Sequence, residues 1–524
     1  MSIPIDPDPD PDLVAKFLRD AAHYPGGRSA GVVRPRTVEE VASFLRALPT
    51  GAQVLPVGAQ SSLTGGATPL GDVVLSTGRL TRLEMQGDHV RAGAGVTLQA
   101  VQDLLAPRGR WFPPVPTYLG ATAGGAVATC AAGAATFKYG TVREWVDGLT
   151  VVLANGDILD ITRGSIVADS DVLEFATSSG SHRITLPALR MPDVPKRSAG
   201  YFVAPGMDLV DLFIGSEGTL AVIAEVVFRT APLPAARCHV LVPVSDEDAG
   251  IRLAGDLRAA SQQTWRTNDP LGIDISAIEH IDARSIAVIR EDGIDKKLDI
   301  TLPSGTGIVL LIEIELSREA AAADLWSQLA NAREEGAADS PLRRFCALLD
   351  HHGALDDAEI ALPEHRARVV AFAELREAVP AGVNRRVALA QQQIDPGIYK
   401  TAADMIVPFD RFADMMRTCR RLFEERGLDL AVWGHISDGN VHPNVIPKSA
   451  DDVKKGQEAI LALGDAVIAM GGCPLAEHGV GRNAIKQELL RRLYGTEGVD
   501  AMRALKHSLD PHGSLAPGVI FPAN

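Results

Sequence analysis

The sequence lacks several features that would assign its class directly. None of its five cysteines, Cys130, Cys238, Cys346, Cys419 and Cys473, belongs to a Cys-x-x-Cys pair. That argues against a cysteine-ligated iron–sulfur cluster and for reduced thiols in a cytoplasm. No charge-free apolar run of about 18 residues occurs, so no transmembrane helix is expected. The N-terminus has no basic stretch leading into an apolar one, the mark of a secretory signal. Positive charge is scarce: 51 Lys and Arg stand against 66 Asp and Glu, a formal net charge of −15. Such a surface disfavours nucleic acid and anionic membrane as partners, and leaves any anionic substrate to local Arg or Lys. Gly93-Ala-Gly-Val-Thr-Leu98 begins like a dinucleotide fingerprint but lacks the third glycine, which argues against a Rossmann enzyme.

The chain has 524 residues, 46% of them hydrophobic, enough for a sizeable core and two or three domains. It opens on Asp6-Pro-Asp-Pro-Asp-Pro-Asp12, an acidic tail expected to be disordered or extended. Gly31–Pro35 and Val54–Val57 read as strands flanking a helix capped by Thr37 and running to Arg46. Gly58-Ala-Gln-Ser-Ser-Leu-Thr-Gly-Gly-Ala67 follows. Its glycines free the backbone N–H groups to wrap an anion, and its hydroxyls add donors; an ordinary glycine-rich turn would look the same. A second segment, Pro114 to Gly125 and on through Ala128 to Thr141, has few side chains larger than a methyl. Such a stretch either packs backbone tightly or lets a large planar ligand lie against it. Thr230–Pro234 is a proline-rich domain junction. Beyond it, strands at 239–243 and 307–315 alternate with helices near 246–260 and 317–335, an α+β pattern. His280, among apolar residues, reads as packed, and His351-His352 as surface loop.

Trp433-Gly-His-Ile-Ser-Asp-Gly-Asn-Val-His-Pro-Asn444 sets His435 and His442 seven residues apart around a turn, and Glu477-His-Gly-Val-Gly-Arg482 adds a carboxylate and a third histidine. Two imidazoles plus a carboxylate, with a position left open, suit a divalent metal, zinc first among them. His435, His442 and Glu477 are the candidate ligands. His478 is left as a base. On an extended backbone Glu477 and His478 would point in opposite directions. Asp438 and Asn440 are expected to shape the turn.

These motifs resemble the C-terminal half of FAD-linked 2-hydroxy-acid dehydrogenases, the group of D-lactate dehydrogenase, the glycolate oxidase FAD subunit and D-2-hydroxyglutarate dehydrogenase. The glycine-rich segments resemble the flavin domain of the p-cresol methylhydroxylase and vanillyl-alcohol oxidase superfamily. The resemblance spans about residues 24–522. It implies an α+β fold: a two-part FAD-binding domain of the p-cresol methylhydroxylase type (24–232) after a lead-in (1–23), an α+β substrate or cap domain (233–460), and a C-terminal segment (461–524) returning to the flavin. It implies that Pro56, Gly58, Ala59, Gln60, Ser61, Ser62, Thr64 and Gly65 hold the FAD pyrophosphate. Pro116, Thr122, Gly124, Gly125, Thr129, Gly133, Tyr139 and Gly140 would line the flavin and ribityl chain. Glu217, Gly218, Val222 and Ile223 would meet the isoalloxazine. Cys130 stands where the pattern has Asn, and Ala516 replaces an Asn near the C-terminus. The first loop has no histidine, so the FAD is expected to be non-covalent. Leu375-Arg-Glu377 resembles a helix whose arginine binds substrate carboxylate, so Arg376 is a candidate, with Lys400 and Asn444. Lys400 lies four positions before Asp404, two more than in the family pattern.

The implied activity is FAD-dependent oxidation of a 2-hydroxy acid, D-configured, such as D-lactate, glycolate or D-2-hydroxyglutarate, to the 2-oxo acid. Electrons would leave to a separate electron-transfer protein, cytochrome or quinone. A homodimer and membrane association through a partner are both compatible with the sequence. Rival readings are a metallohydrolase, a non-catalytic flavin-binding subunit, and a polyol or phenol oxidase.

Overall fold

The computed structural model describes residues 6–114 and 116–523. Residues 1–5 ahead of the acidic tail, Val115 of the second glycine-rich segment and Asn524 lie outside the described residues. Two compact units result. One comprises Met1–Gly133, Gly140–Leu233 and Leu475–Asn524; the other comprises Ala134–Tyr139 and Pro234–Pro474.

In the first unit, Val32–Val33, Val73–Ser76 and Val54–Val57 form a small parallel sheet in that order. All three strands are rich in β-branched residues and mostly buried, as parallel strands covered on both faces must be. The helix Val38–Arg46 starts where Thr37 accepts a hydrogen bond from Glu40 N, with Glu39 and Glu40 in its first turn. An antiparallel sheet follows, ordered Leu83–Gln86, His89–Gly93, Val222–Arg229, Val146–Val152, Ile158–Thr162. The acidic tail is more ordered than its composition suggests. Asp8 exchanges backbone hydrogen bonds with Val32 at 3.0 Å each way, and Asp10 caps a short helix, Pro11–Ala15. The prolines occupy positions where no N–H is needed, so alternation with aspartate is compatible with an edge pairing and a helix start.

The second unit is built on an eight-stranded sheet. Seven strands run Glu359–Ala361, Ala236–Val244, Ile308–Leu316, Ile275–Asp282, Leu430–His435, Asn440–Val445, Thr401–Ala402, and Met405–Ile406 also pairs with Asn440–Val445. Helix Arg366–Gln393 buries Phe372, Leu375, Val379 and Val383 in a core shared with Ile281, Ile289, Val309 and Trp433. The helix expected over 317–335 breaks into Arg318–Ala322 and Leu325–Ala330. Ala323 is extended, and Asp324 accepts from Ser327 N to restart the turn. The expected loop at His351-His352 is instead the end of helix Pro341–His351, where His352 Nε2 meets Asp256 Oδ2 at 2.8 Å.

Two unit edges differ from the sequence boundaries. Residue 461 falls inside helix Ala450–Ala469 of the second unit, and the chain re-enters the first unit at Leu475. Gly456 packs on Val445 and Thr401, which ties that helix to the sheet. Ala134–Tyr139 also belongs to the second unit. There Lys138 Nζ bridges Asp274 (2.7 Å) and Glu315 (2.6 Å), and Tyr139 donates its hydroxyl to Glu315 at 2.5 Å.

Candidate active site

Cross-strand pairing explains how the second unit assembles its histidines. His435 stands opposite Asn440, and Trp433 opposite His442. Glu279 on the next strand stands opposite His435. Because side chains alternate along a strand, Glu279, His435, His442 and Asn444 share one face. The two imidazole centroids lie 5.5 Å apart at 86°. His435 Nδ1 is 3.1 Å from Glu279 Oε2, and His442 Nδ1 is 3.4 Å from Asp404 Oδ1. With Nδ1 of each ring on a carboxylate, Nε2 is directed the other way. A metal-ligating histidine is backed in this manner, since the carboxylate fixes the tautomer and raises ligand basicity. The donor set therefore suits a divalent ion.

The turn between the histidines is held from behind. Asp438 Oδ1 accepts from Asn440 N at 3.2 Å, while Asn440 Nδ2 donates to Asp404 Oδ1 and Met405 O at 3.0 Å each. Asp438 and Asn440 thus build the turn, as the sequence suggests. Arg258 Nε donates to Ser437 O at 2.5 Å, with its guanidinium over Phe409. Burial pulls the Arg258 pKa down to about 10, against the pull of Asp438. Asn444 is buried and donates to His442 O at 2.8 Å. Arg376 Nε lies 3.3 Å from Glu279 Oε1, and its Nη1 lies 2.6 Å from Glu377. Its guanidinium is therefore steadied by two carboxylates, one of which also touches His435. Lys400 is exposed, just before the Thr401–Ala402 strand whose Ala402 pairs with Asn444.

The first unit presents the other motif. Glu477 and His478 sit at a bend, not on an extended strand. Their side chains therefore converge instead of alternating, with His478 Nε2 3.7 Å from Glu477 Oε1. Lys196, fully buried, places Nζ 2.7 Å from Glu477 Oε2. Ser198 N donates to Ala476 O at 2.9 Å.

The glycine-rich loops meet in the same unit. A Cβ on Gly58 would lie 2.4 Å from Thr122 Oγ1, so only glycine lets the first loop approach the second. Thr122 caps the helix Ala123–Ala128 by accepting from Gly125 N, and Thr129 donates back to Gly125 O at 3.0 Å. The carbonyls of Gln60 and Ser62 accept from Ala21 N and Ala22 N. In a trans peptide the next N–H points oppositely, so Ser61 and Leu63 turn their N–H groups away from residues 21–22. Amides turned this way suit an anion. Ala59 is exposed, while Pro56 packs against Gly218. Val222 and Ile223 pair with Val152 and Val151. Thr64 O accepts from Arg482 N.

Several expected cofactor contacts are engaged elsewhere. Gln60 donates its side-chain amide to Phe17 O (2.9 Å) and Arg19 O (3.1 Å). The Tyr139 hydroxyl is committed to Glu315. The Glu217 carboxylate accepts from Val480 N and Gly481 N. Sequence reasoning missed Lys196, Arg258, Glu279 and Asp404 as site residues. Glu279 was legible in principle: it alternates with His280, so when His280 faces the core, Glu279 faces the opposite side.

The FAD linked oxidases' C-terminal domain matches residues 252–520, just over half of the chain, and an FAD binding domain matches 29–162. The chain belongs to the FAD-linked oxidases. It is a flavoenzyme with an FAD binding domain and an FAD-linked oxidase C-terminal domain, and the first glycine-rich loop lies in the FAD binding one. It is 27% identical to the glycolate oxidase subunit GlcD of Bacillus subtilis, over 94% of this chain and 88% of that protein. It is 28% identical to D-lactate dehydrogenase of Archaeoglobus fulgidus, over 93% and 90%. It is also 28% identical to mitochondrial D-2-hydroxyglutarate dehydrogenase of Bos taurus, over 95% and 78%. Among solved structures, an alkyldihydroxyacetonephosphate synthase shares the fold with a TM-score of 0.54 at 14% identity, covering 93% of this chain and 75% of that one. Among the described residues no helix is long and apolar enough to cross a membrane.

Proposed function

We propose that this flavoenzyme oxidises a D-configured 2-hydroxy acid, such as D-lactate, glycolate or D-2-hydroxyglutarate, to the 2-oxo acid. The observation that carries the reading is the carboxylate-backed pair His435 and His442 on one sheet face. A polyol or phenol oxidase has no use for such a pair, whereas a 2-hydroxy acid offers a hydroxyl and a carboxylate oxygen that chelate a metal. The names of the relatives point the same way.

His435, His442 and Glu477 are the proposed ligands of a divalent metal, zinc first, which would lower the pKa of the substrate hydroxyl. FAD, held without a covalent bond, would supply two-electron oxidising power at its N5. His478 takes the hydroxyl proton on its imidazole, a general-base role. Arg376, steadied by Glu279 and Glu377, and the exposed Lys400 hold the substrate carboxylate, a task that suits a guanidinium. Asn444, fixed on the His442 carbonyl, presents its amide to substrate. Electrons leave to a separate carrier protein, cytochrome or quinone; a cytoplasmic location, with any membrane contact made through that partner, completes the reading.

The test is a dye-linked screen of D- and L-2-hydroxy acids, with metal content measured on the same sample. Turnover of D-acids by metal-containing protein is the expected result. Turnover confined to polyols or phenols, or full activity in metal-free protein, overturns it.

A further inference from the structure

The Gly-Ser-Glu-Gly-Thr turn at 215–219 does more than approach a cofactor. Glu217 Oε1 accepts from Val480 N at 2.7 Å, and Oε2 accepts from Gly481 N at 2.8 Å. One carboxylate thus grips two successive amides just past His478. Its own backbone N–H donates to Ala128 O at 2.7 Å, and Gly215 N donates to Val127 O at 2.9 Å. Both acceptors lie at the end of the helix Ala123–Ala128, within the second glycine-rich segment. Glu217 itself adopts the left-handed region, φ 50°, uncommon and strained for a non-glycine residue. A Cβ on Gly479 would stand 2.9 Å from Glu217 Oε1, so glycine at that position admits the carboxylate. Strain at one end, a cleared approach at the other and two charge-assisted hydrogen bonds between them form a built connection.

We propose that Glu217 is a positioning residue that holds the Glu477–His478 bend in register with the flavin-side turn. The inference rests on the reading of His478 as the base. A base two residues from a loose anchor loses its alignment, and a displacement near 1 Å costs on the order of a hundredfold in rate. Burial pushes the Glu217 carboxyl up to about 7, against the two amides and Lys486, which favour the ionised form. Lys486 lies in the helix Ala484–Leu509, and Tyr201, hydrogen-bonded to Thr219, is a further ionisable group coupled to it. Only the carboxylate accepts from both amides, so the grip weakens as pH falls through that value.

Glu217→Gln keeps the shape but offers one acceptor for two donors, and Glu217→Ala offers none. The expected order of kcat is wild type, then Gln lower by about tenfold, then Ala lower again, with KM and FAD content nearly constant. Protonation of the base His478 gives an acid limb in every variant; the additional loss that follows Glu217, near pH 7, should be missing in Glu217→Gln. Hydrogen exchange of the Val480 and Gly481 amides should be faster by about tenfold in Glu217→Gln. Unchanged exchange overturns the proposal, as does FAD loss in step with activity in both variants, which would make Glu217 a cofactor or folding residue. If wild type turns over no 2-hydroxy acid, the substrate reading fails by itself, and the exchange measurement still decides whether Glu217 holds the bend.

Discussion

Glu279 Oε2 lies 3.1 Å from Nδ1 of His435, the residue directly opposite it on the neighbouring strand. Asp404 stands in the same relation to His442, at 3.4 Å. Each pair sets a carboxylate beside Nδ1 of one imidazole, which leaves Nε2 on the other side of the ring. Arg376 reaches Glu279 as well, so charge on the proposed carboxylate-binding arginine is linked to the orientation of a proposed ligand.

Removing those backing charges tests the arrangement. Glu279→Gln and Asp404→Asn should each weaken metal affinity by roughly tenfold to a hundredfold while FAD content stays at the wild-type level. Competition with a chromogenic chelator measures the first, and the flavin spectrum the second. Affinities equal to wild type would show that the carboxylates do not orient the imidazoles.

The ligand and the base should separate by mutation. His442→Ala is expected to lose metal and activity together. His478→Ala should keep both metal and FAD but lose kcat by roughly a hundredfold. Metal analysis of the two purified variants decides it. Metal lost from His478→Ala, with metal retained in Glu477→Gln, would exchange the two roles, a real alternative because the bend brings His478 Nε2 within 3.7 Å of Glu477.

Lys196 is fully buried against Glu477. Lys196→Met should destabilise the protein by about 3–5 kcal/mol, because it strands a buried carboxylate. Adding Glu477→Gln should recover much of that loss. Thermal melts of the two single variants and the double variant form the cycle, and strictly additive effects would show that the two side chains are not coupled.

Glu247 supplies a pH dependence. Burial opposes its ionisation, but His280, whose Nε2 lies 3.5 Å away, and the hydrogen bonds from Arg420 outweigh that and bring its pKa down to about 2. A carboxylate depressed below its ordinary value of about 4.3 stabilises the fold above that value. The contribution disappears as pH falls through the folded pKa. The Tm gap between wild type and Glu247→Gln should therefore be widest at neutral pH and shrink below about pH 4.3. A gap that grows on acidification would reverse the sign and exclude this network as its source.

The absence of histidine from Gly58–Ala67 leads to the last expectation. Acid precipitation should release the yellow colour into the supernatant. Colour held in the pellet would mean a covalent flavin attached through another residue.

Much of the fold is legible along the chain because its causes are local. Thr37 caps a helix through a contact three residues away, Val54–Val57 is a continuous apolar run, and the two glycine-rich segments announce close backbone approach. The pairing of His435 with His442 is local too, since a hairpin with two-residue alternation must bring them to one face. The partners made by the second layer were not legible, although the face of Glu279 was. Glu279 and Asp404 reach the histidines from strands distant in sequence, and Lys196 reaches Glu477 across 281 positions. Glu217 illustrates the limit: its motif resembles a flavin-contacting turn, yet its carboxylate serves Val480 and Gly481. Composition, spacing and the family resemblance single out the residues proposed to carry the chemistry. Tertiary structure decided what holds each of them, because hydrogen-bond partners and burial depend on strand register and packing between segments that the sequence does not place side by side.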